Sequence, residues 1–564
     1  MISDLYPEVL ATIVLFLGVW MVFPSSAWSR VPVRCAVVLL FQFLNFRYVS
    51  WRFKETLVPL TTNPESIWIW FFLAMEMSAT VLLAWHFILL IKPSDRTPEA
   101  DKAEDRLKRR QTAPGVDVLI PTYNEPAEIL RRTILAATRL EYPDFKISVL
   151  DDGARPWLEA MCRDFSIGYV VRPDRKGFKA GNLNHAIKNT QKPLISVIDA
   201  DFAVEPNFLM RTVGLLDAPD VGIVQTPQIF LNPDAIQYNL GGEKAWPEAQ
   251  CMFTDVMQSC RDTWNNAFCY GTSFVIKREC LERSGGFPEE TITEDLHSTY
   301  VLLALGYKTR FLNEKLSSGL ATQDIGEFVN QRTRWGIGTL QCLVTPRGAL
   351  RAKGLSLLDR VFFLDPVLYY IGTLWTLCLL AAPALYWWFG IAPFHSDYGQ
   401  LLVVLGPRML LSVYGLYMLS SKKNLPFVTE IGRIVGLVPF LRAVWNLLLN
   451  PRSQIFSVTK KELSLSRSLI YWKILWPPLA LLLLTSGGML MNFFGLHSDL
   501  AFLHRDVGLM ISLSLYSLWL LFFSCLACVQ KPIPGGQLQS RITVRNSSAR
   551  VAAWALLKRM LLSR

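Results

Sequence analysis

The feature that most limits what this chain can fold into is where its long apolar runs stand. They flank one polar block, from about 112 to 345, on both sides. A helix that crosses a bilayer needs about 20 mostly apolar residues. Ile67–Ile91 meets that length, with Glu76 as its one buried acid. Val9–Val22 and Ala36–Phe46 are apolar but shorter. Past the block, apolar spans return at about 366–390, 401–420, 469–491 and 507–529, which predicts three spans before the block and four after it. Charged residues are 18% of the chain and hydrophobic ones 51%. The charged share is below the roughly 25% of soluble domains, so an ordinary soluble globule is excluded.

The net charge of +11 does not point to nucleic acid, because the basic residues cluster beside the apolar spans. Lys92–Arg110 and Ser421–Arg467 are rich in Lys and Arg and are expected on the cytoplasmic side, while Gly390–Gln400 has neither and is expected outside. The N terminus is then outside and the C terminus inside. Arg47, Arg52 and Lys54 run against this layout, since it puts them in an external loop. The first apolar run follows an acidic start, so no cleavable signal is expected. Cys525-x-x-Cys528 has redox spacing but lies in an apolar run, which favours plain packing. After Asp506 the chain has no acidic residue, and Val551–Leu562 reads as an amphipathic helix on anionic lipid or a basic tail.

Inside the block the apolar runs are short: Val116–Ile120, Ile147–Leu150 and Leu194–Ile198. Short buried runs alternating with helical stretches indicate a parallel α/β sheet. Ligands of such sheets bind at the carboxyl ends of strands. Asp151-Asp152 and Asp199-Ala200-Asp201 each follow a strand directly. Downstream come Thr293-Glu294-Asp295 and Gln331-Arg332-Thr333-Arg334-Trp335.

That order suits transfer of a sugar from a nucleotide diphosphate. The reaction needs a cation to neutralise the leaving diphosphate, a base for the acceptor hydroxyl, and further positive charge on the phosphates. Asp199 and Asp201 are hard oxygen donors of the kind that hold magnesium together with substrate phosphates. Taken alone, an Asp-x-Asp is usually a solvated turn. Asp295 or Glu294 could serve as base, and spacing does not choose between them. A lone Glu-Asp pair is more often a helix N-terminal turn. Arg332 and Arg334 can grip phosphates bidentately, and Trp335 offers a flat face to a sugar ring. The same segment also reads as an interfacial helix with a Trp anchor.

With these motifs stand Arg47-Tyr48-Val49-Ser50-Trp51-Arg52, Pro121-Thr122-Tyr123-Asn124-Glu125-Pro126, Lys179-Ala180-Gly181-Asn182, Val224-Gln225-Thr226-Pro227 and Thr291–Asp295. Together they make the chain, from about Arg47 to Val529, resemble the processive family 2 glycosyltransferases, most nearly the bacterial cellulose synthase catalytic subunits. The resemblance implies a GT-A type α/β domain with a mixed sheet, inserted in a bundle of about seven spans. The implied division is 1–95 N-terminal membrane helices, 112–345 cytoplasmic transferase, 346–365 interfacial region, 366–530 membrane channel with interfacial and gating segments at 421–468, and 531–564 basic tail. Thr122, Glu125, Asp151, Asp152, Lys179, Asp199, Gln331 and Arg334 would hold the nucleotide, and Asp199 and Asp201 the metal, Mg²⁺ or Mn²⁺. Asp295 would be the base, and Trp335 and Tyr270 would face the acceptor. Phe456, Val458, Thr459 and Lys461 match a gating loop, of the kind that closes over bound nucleotide.

Four departures qualify the match, the first being one N-terminal span fewer, which gives seven spans rather than eight. No PilZ domain is expected in the tail, so control by cyclic di-GMP through one is not expected. Tyr270 stands where cellulose enzymes have Cys, and Lys176-Gly177-Phe178 lacks the family's His. Expected is a processive inverting β-glucan synthase in the plasma (inner) membrane that uses UDP-glucose and exports its polymer. A β-1,4 product is favoured; β-1,3-glucan (curdlan) or mixed-linkage glucan is the alternative. A non-catalytic exporter or scaffold and a lipid-linked sugar transferase are the rivals. Membrane lipids and accessory export subunits are the other expected partners, and nucleic acid is not.

Overall fold

The computed structural model describes residues 28–248, 250–450, 465–495 and 503–533. The run Val9–Val22, the gating residues Phe456, Val458, Thr459 and Lys461, and the tail beyond 533 lie outside the described residues.

The polar block forms one sheet from the short apolar runs. Its strands are β1 (Val116–Thr122), β2 (Phe145–Asp151), β3 (Gly168–Val170), β4 (Leu194–Val197), β6 (Val221–Gln225), β8 (Phe274–Lys277) and β9 (Lys308–Phe311), in the order β3-β2-β1-β4-β8-β6-β9. A small second sheet holds β5 (Ala203–Val204), β10 (Ser317–Gly319) and β7 (Ile229–Phe230). β1 to β4 are parallel, but β8 runs antiparallel to both β4 and β6. The sheet is therefore mixed, as the family resemblance implies, and not wholly parallel as strand–helix alternation alone suggests.

β1 shows why the sheet is buried on both sides. Val116, Val118 and Ile120 pack into one apolar cluster, while Leu119 packs into the other with Leu150, Ile195 and Val197. Alternate residues of a strand face opposite ways, so helices must cover both faces. Asp117 sits in that strand at 2% exposure, and Arg278 Nη2 neutralises it at 2.8 Å. A buried charge persists only with such a partner.

Six described helices are long and apolar enough to cross a membrane: Val31–Glu55, Pro64–Leu89, Leu357–Phe389, Tyr398–Leu419, Trp472–Phe493 and Asp506–Ala527. A seventh crossing is available from Phe427–Val435 and Leu437–Leu449, which meet at a 57° bend. The chain is a membrane protein by these helices. Leu357–Phe389 packs along Pro64–Leu89, and Tyr398–Leu419 along Val31–Glu55, so spans from both sides of the polar block share one bundle.

Two details differ from the sequence reading. Arg47, Arg52 and Lys54 are not in a loop; they continue the helix Val31–Glu55 beyond the apolar run. Arg52 is fully buried, and its Nε meets Glu76 at 2.8 Å. Glu76 also accepts from the Tyr48 hydroxyl, and Arg408 Nε donates to Asn45 at 2.8 Å. Charges inside a membrane bundle persist when paired in this way, and a hydropathy scan reads the pair as two interruptions. The helix after the block starts at Leu357, inside the 346–365 segment, because Ser356 and Asp359 form a reciprocal capping box. Cys525 and Cys528 are free thiols in an apolar cluster, in keeping with packing.

Candidate active site

Parallel pairing brings the predicted residues to one edge of the sheet. Thr122 is level with Asp151 across β1 and β2, and Asp199 lies just past the end of β4. Two groups of side chains meet there.

The first group lies over β1 and β2. Asp151 Oδ1 accepts from the Gly153 N–H at 2.8 Å and from Arg155 Nη2 at 2.9 Å; Oδ2 accepts from the Arg155 N–H at 2.7 Å and the Tyr169 hydroxyl at 2.9 Å. Burial works to raise this carboxyl, but those donors outweigh it and hold Asp151 below its ordinary value. Arg155 also donates to Thr122 Oγ1 at 2.8 Å, and the Thr122 hydroxyl donates to Glu125 Oε2 at 2.5 Å. Arg172 grips Asp152 with both arms, at 2.6 and 2.8 Å. Thr122, Glu125, Asp151 and Asp152 are thus held as a rigid wall.

The second group surrounds Lys179, in the first turn of the helix Phe178–Ile187. Its Nζ donates to Asp199 Oδ1 at 2.6 Å and to the Gly271 carbonyl at 2.6 Å, and lies 3.8 Å from Glu294 Oε1. Burial opposes the charge on Lys179, but Asp199, Glu294 and Asp295 outweigh it and raise the ammonium above its usual value. Asp199 is raised by burial and by the charges of Asp201 and Glu294, with Lys179 opposing. Its backbone N–H donates to Thr272 Oγ1 at 2.8 Å, tying β4 to the segment before β8. Asp201 is 8% exposed, and Arg132 holds its carbonyl at 2.8 Å.

Asp295 stands at the start of the helix Glu294–Ala304, where Oδ1 accepts the Leu296 N–H at 2.7 Å. Burial and the adjacent Glu294 charge push its carboxyl up to about 7, against the pull of Lys179. A carboxyl poised near the working pH suits a general base. Glu294 instead rests against the Lys179 ammonium, so the two acids of the motif have different surroundings. Gly271 lies at φ +101°, where a Cβ would stand 2.8 Å from Asp295 Oδ2. Only glycine lets the loop pass that close to the carboxylate.

The helix Ile325–Val344 carries Gln331 to Trp335. Arg334 is half-buried; desolvation lowers its guanidinium, and the carboxylates Glu294, Asp295 and Asp199 counter that effect. It therefore belongs to the second group. Arg332 stacks on the Trp335 ring at 4.9 Å and the Phe328 ring at 5.1 Å, so that cation faces aromatics. Gln331 Oε1 accepts from the Thr322 hydroxyl at 3.3 Å. The helix packs on Leu437–Leu449 and Leu357–Phe389, which brings this side of the site to the membrane bundle. Tyr270 lies in the loop before Gly271; its hydroxyl donates to the Thr226 carbonyl at 2.7 Å and its ring packs on Phe253.

Sequence reasoning missed Arg155 and Arg172; it matched Phe268–Thr272 to the family's acceptor segment but not the contacts of Gly271 and Thr272 with Lys179 and Asp199. Arg155 had a faint signal, four residues beyond Asp151 at a helix start. Arg172 had none, because only the β2–β3 pairing brings it to Asp152.

Residues 114–338 match the family described as "Glycosyltransferase like family 2". The chain is 32% identical over 525 residues to the "Cellulose synthase catalytic subunit [UDP-forming]" of Pseudomonas fluorescens (strain SBW25), covering 92% of this chain and 68% of that one. It is 34% identical over 330 residues to the protein of the same name from Xanthomonas axonopodis pv. citri (strain 306), covering 58% and 44%. It is 30% identical over 433 residues to "Cellulose synthase 2" of Novacetimonas hansenii, covering 76% and 27%. The chain thus spans about two thirds of the first relative's length and under half of the other two. Among solved structures, a mannosyltransferase from Pyrobaculum calidifontis in complex with GDP-Man and Mn²⁺ superposes with a TM-score of 0.42 at 18% identity, over 64% of this chain and 99% of that one. The chain belongs to the family 2 glycosyltransferases, in the group of the bacterial cellulose synthase catalytic subunits.

Proposed function

We propose that this enzyme is a processive, inverting β-glucan synthase that takes glucose from UDP-glucose and passes the growing polymer through its own helices, with a β-1,4 product. The observation that carries the reading is the second group of the site. A carboxyl poised near 7 faces a lysine-held aspartate and a half-buried arginine, beside a helix that packs on the membrane bundle. The relatives' names support the sugar and the linkage.

In this reading Asp295 takes the proton from the acceptor hydroxyl as it attacks the anomeric carbon from the face opposite the leaving diphosphate. Lys179 and Arg334 hold positive charge towards the phosphates. The wall of Thr122, Glu125, Asp151 and Asp152 seats the nucleoside, and Trp335 and Tyr270 flank the acceptor. Asp199 and Asp201 would hold Mg²⁺ or Mn²⁺. The donor chemistry fits such an ion: Asp199 and Asp201 are two hard carboxylate donors, and Lys179 holds one oxygen of Asp199. That arrangement suits a cation held by one or two carboxylates plus substrate phosphates. The ion, when bound, neutralises the diphosphate.

The transferase domain faces the cytoplasm, with the N terminus outside and the basic segment Lys92–Arg110 on the inner surface of the plasma membrane. Phe456, Val458, Thr459 and Lys461, matched to a gating loop by sequence alone, contact the nucleotide in this reading, and export subunits receive the polymer outside. The test is purified protein with labelled UDP-glucose, then digestion by linkage-specific glucanases. A product cut by β-1,4-glucanase is expected. A β-1,3-sensitive product would refute the linkage, a lipid-soluble one would refute processivity, and no turnover would leave a scaffold.

A further inference from the structure

We propose that Arg261 is a positioning residue for sugar transfer, clamping the Asp295 helix and the Gly271 loop to the first membrane helix after the transferase domain. The proposal rests on the transferase reading above and adds a residue that touches neither nucleotide nor base.

Arg261 is fully buried between the Phe268 ring, at 4.9 Å, and the Phe362 ring, at 5.1 Å. A guanidinium has five N–H donors in a fixed fork. Here each arm of the fork is used. Nε donates to the Asn266 carbonyl at 3.1 Å. Nη1 donates to Asp365 Oδ2 at 3.0 Å and to the Phe362 carbonyl at 3.2 Å. Nη2 donates to Asn266 Oδ1 at 2.9 Å and to the Tyr300 hydroxyl at 3.1 Å.

These acceptors belong to three pieces of the molecule. Asp365 and Phe362 lie in the helix Leu357–Phe389, and His86 of the helix Pro64–Leu89 holds the other oxygen of Asp365 at 2.7 Å. Tyr300 is on the helix whose first turn carries Asp295. Asn266 opens the loop that runs through Phe268 and Cys269 to Gly271 and Thr272, the two residues that hold Lys179 and Asp199. Asn266 Nδ2 also donates to Asp359 Oδ1 at 2.8 Å, in the cap of that membrane helix. A second bond, from the Cys269 N–H to Thr299 Oγ1 at 2.8 Å, joins the loop to the Asp295 helix.

One side chain therefore sets the Asp295 helix, the Gly271 loop and the membrane helix in a common frame. The nucleotide wall over β1 and β2 does not touch it. Loss of the fork should shift the base relative to the acceptor and leave the nucleotide seat in place.

The test uses the full chain in detergent with UDP-glucose. Arg261→Lys keeps a cation against Asp365 but loses the fork to Asn266 and Tyr300. Its kcat should fall ~10- to 100-fold, since about 1 Å of misplacement costs ~10²-fold. KM and the Kd for UDP should stay within about twofold, because the nucleotide contacts are untouched. Tyr300→Phe removes one acceptor only and should lower kcat by about fivefold, the scale of one hydrogen bond. It serves as the readout if Arg261→Lys does not fold. An unchanged kcat in the folded variants overturns the proposal, as does a loss of UDP affinity in step with kcat, which would indicate general loosening. A wild type that turns over no UDP-glucose overturns the proposed function, and this proposal with it; an active wild type with unchanged variants overturns this proposal alone.

Discussion

Asp295→Asn should trade activity for stability, and the structure sets the size of both changes. The carboxyl is pushed from 3.8 up to about 7 by burial and by Glu294. Each tenfold change in proton affinity is worth about 1.4 kcal/mol, so ionising Asp295 in the fold costs on the order of a few kcal/mol at pH 8. The sign follows from the raised acid. Below pH 4 the group is protonated in both states and the cost is absent. The cost grows as pH rises from about 4 to 7 and is complete above 7. The amide keeps the shape, is never charged and escapes it. Asp295→Asn should therefore melt higher than wild type at pH 8, by a margin that shrinks by more than half at pH 5. Its turnover should fall by at least ~10²-fold, because general base catalysis supplies about 10²–10⁴-fold. UDP affinity should be nearly unchanged. In the wild type, kcat should drop as pH falls through a value at or below 7, since a cation bound beside Asp199, as proposed, would favour the ionised form. The assay is polymer formation from UDP-glucose, calorimetry with UDP and thermal melting in detergent at both pH values. Turnover within tenfold of wild type would remove Asp295 from the role of base. A variant that melts lower at pH 8 would refute the burial argument.

Four further outcomes are expected. Asp201→Ala should weaken UDP binding in magnesium far more than in its absence; equal UDP affinity with wild type in magnesium would refute a metal-bridging role. Gly271→Ala should cut kcat at least ~10-fold with the protein still folded, since its Cβ would press on Asp295 Oδ2; wild-type kinetics would show that the loop yields. Arg172→Met should destabilise the domain by ~1–3 kcal/mol and weaken UDP binding, because it strands the half-buried Asp152 carboxylate without its partner; an unchanged melting temperature would count against that. Tyr270→Cys loses the bond to the Thr226 carbonyl and should change product linkage or elongation rate with UDP affinity intact; an identical product at an identical rate would mean that Tyr270 only packs.

Local pattern was enough for the frame of this protein. Six of the seven predicted spans coincide with long helices, because burial in lipid demands continuous apolar length, and that is written in consecutive residues. Asp151 and Asp199 could be placed at one edge for a similar reason: a short buried run followed at once by an acid marks the end of a parallel strand, whereas Thr122 was named only by the family resemblance. The antiparallel β8 escaped, because Phe274–Lys277 is as short and apolar as its neighbours and direction depends on the connection, not on composition.

What only the tertiary structure decided is which charge meets which. Arg52 and Glu76 are two defects in a hydropathy trace until helix packing joins them. Arg172 and Asp152 stand 20 residues apart and Arg261 and Asp365 104 apart; no local signal pairs them, since an ion pair is selected by distance in space and dielectric, not by spacing along the chain. The choice between Glu294 and Asp295 has the same origin. Both acids are adjacent in sequence, and one rests on Lys179 while burial holds the other near neutrality. Chemistry at this site therefore depends on desolvation, a property that a residue acquires only when the rest of the chain has closed around it.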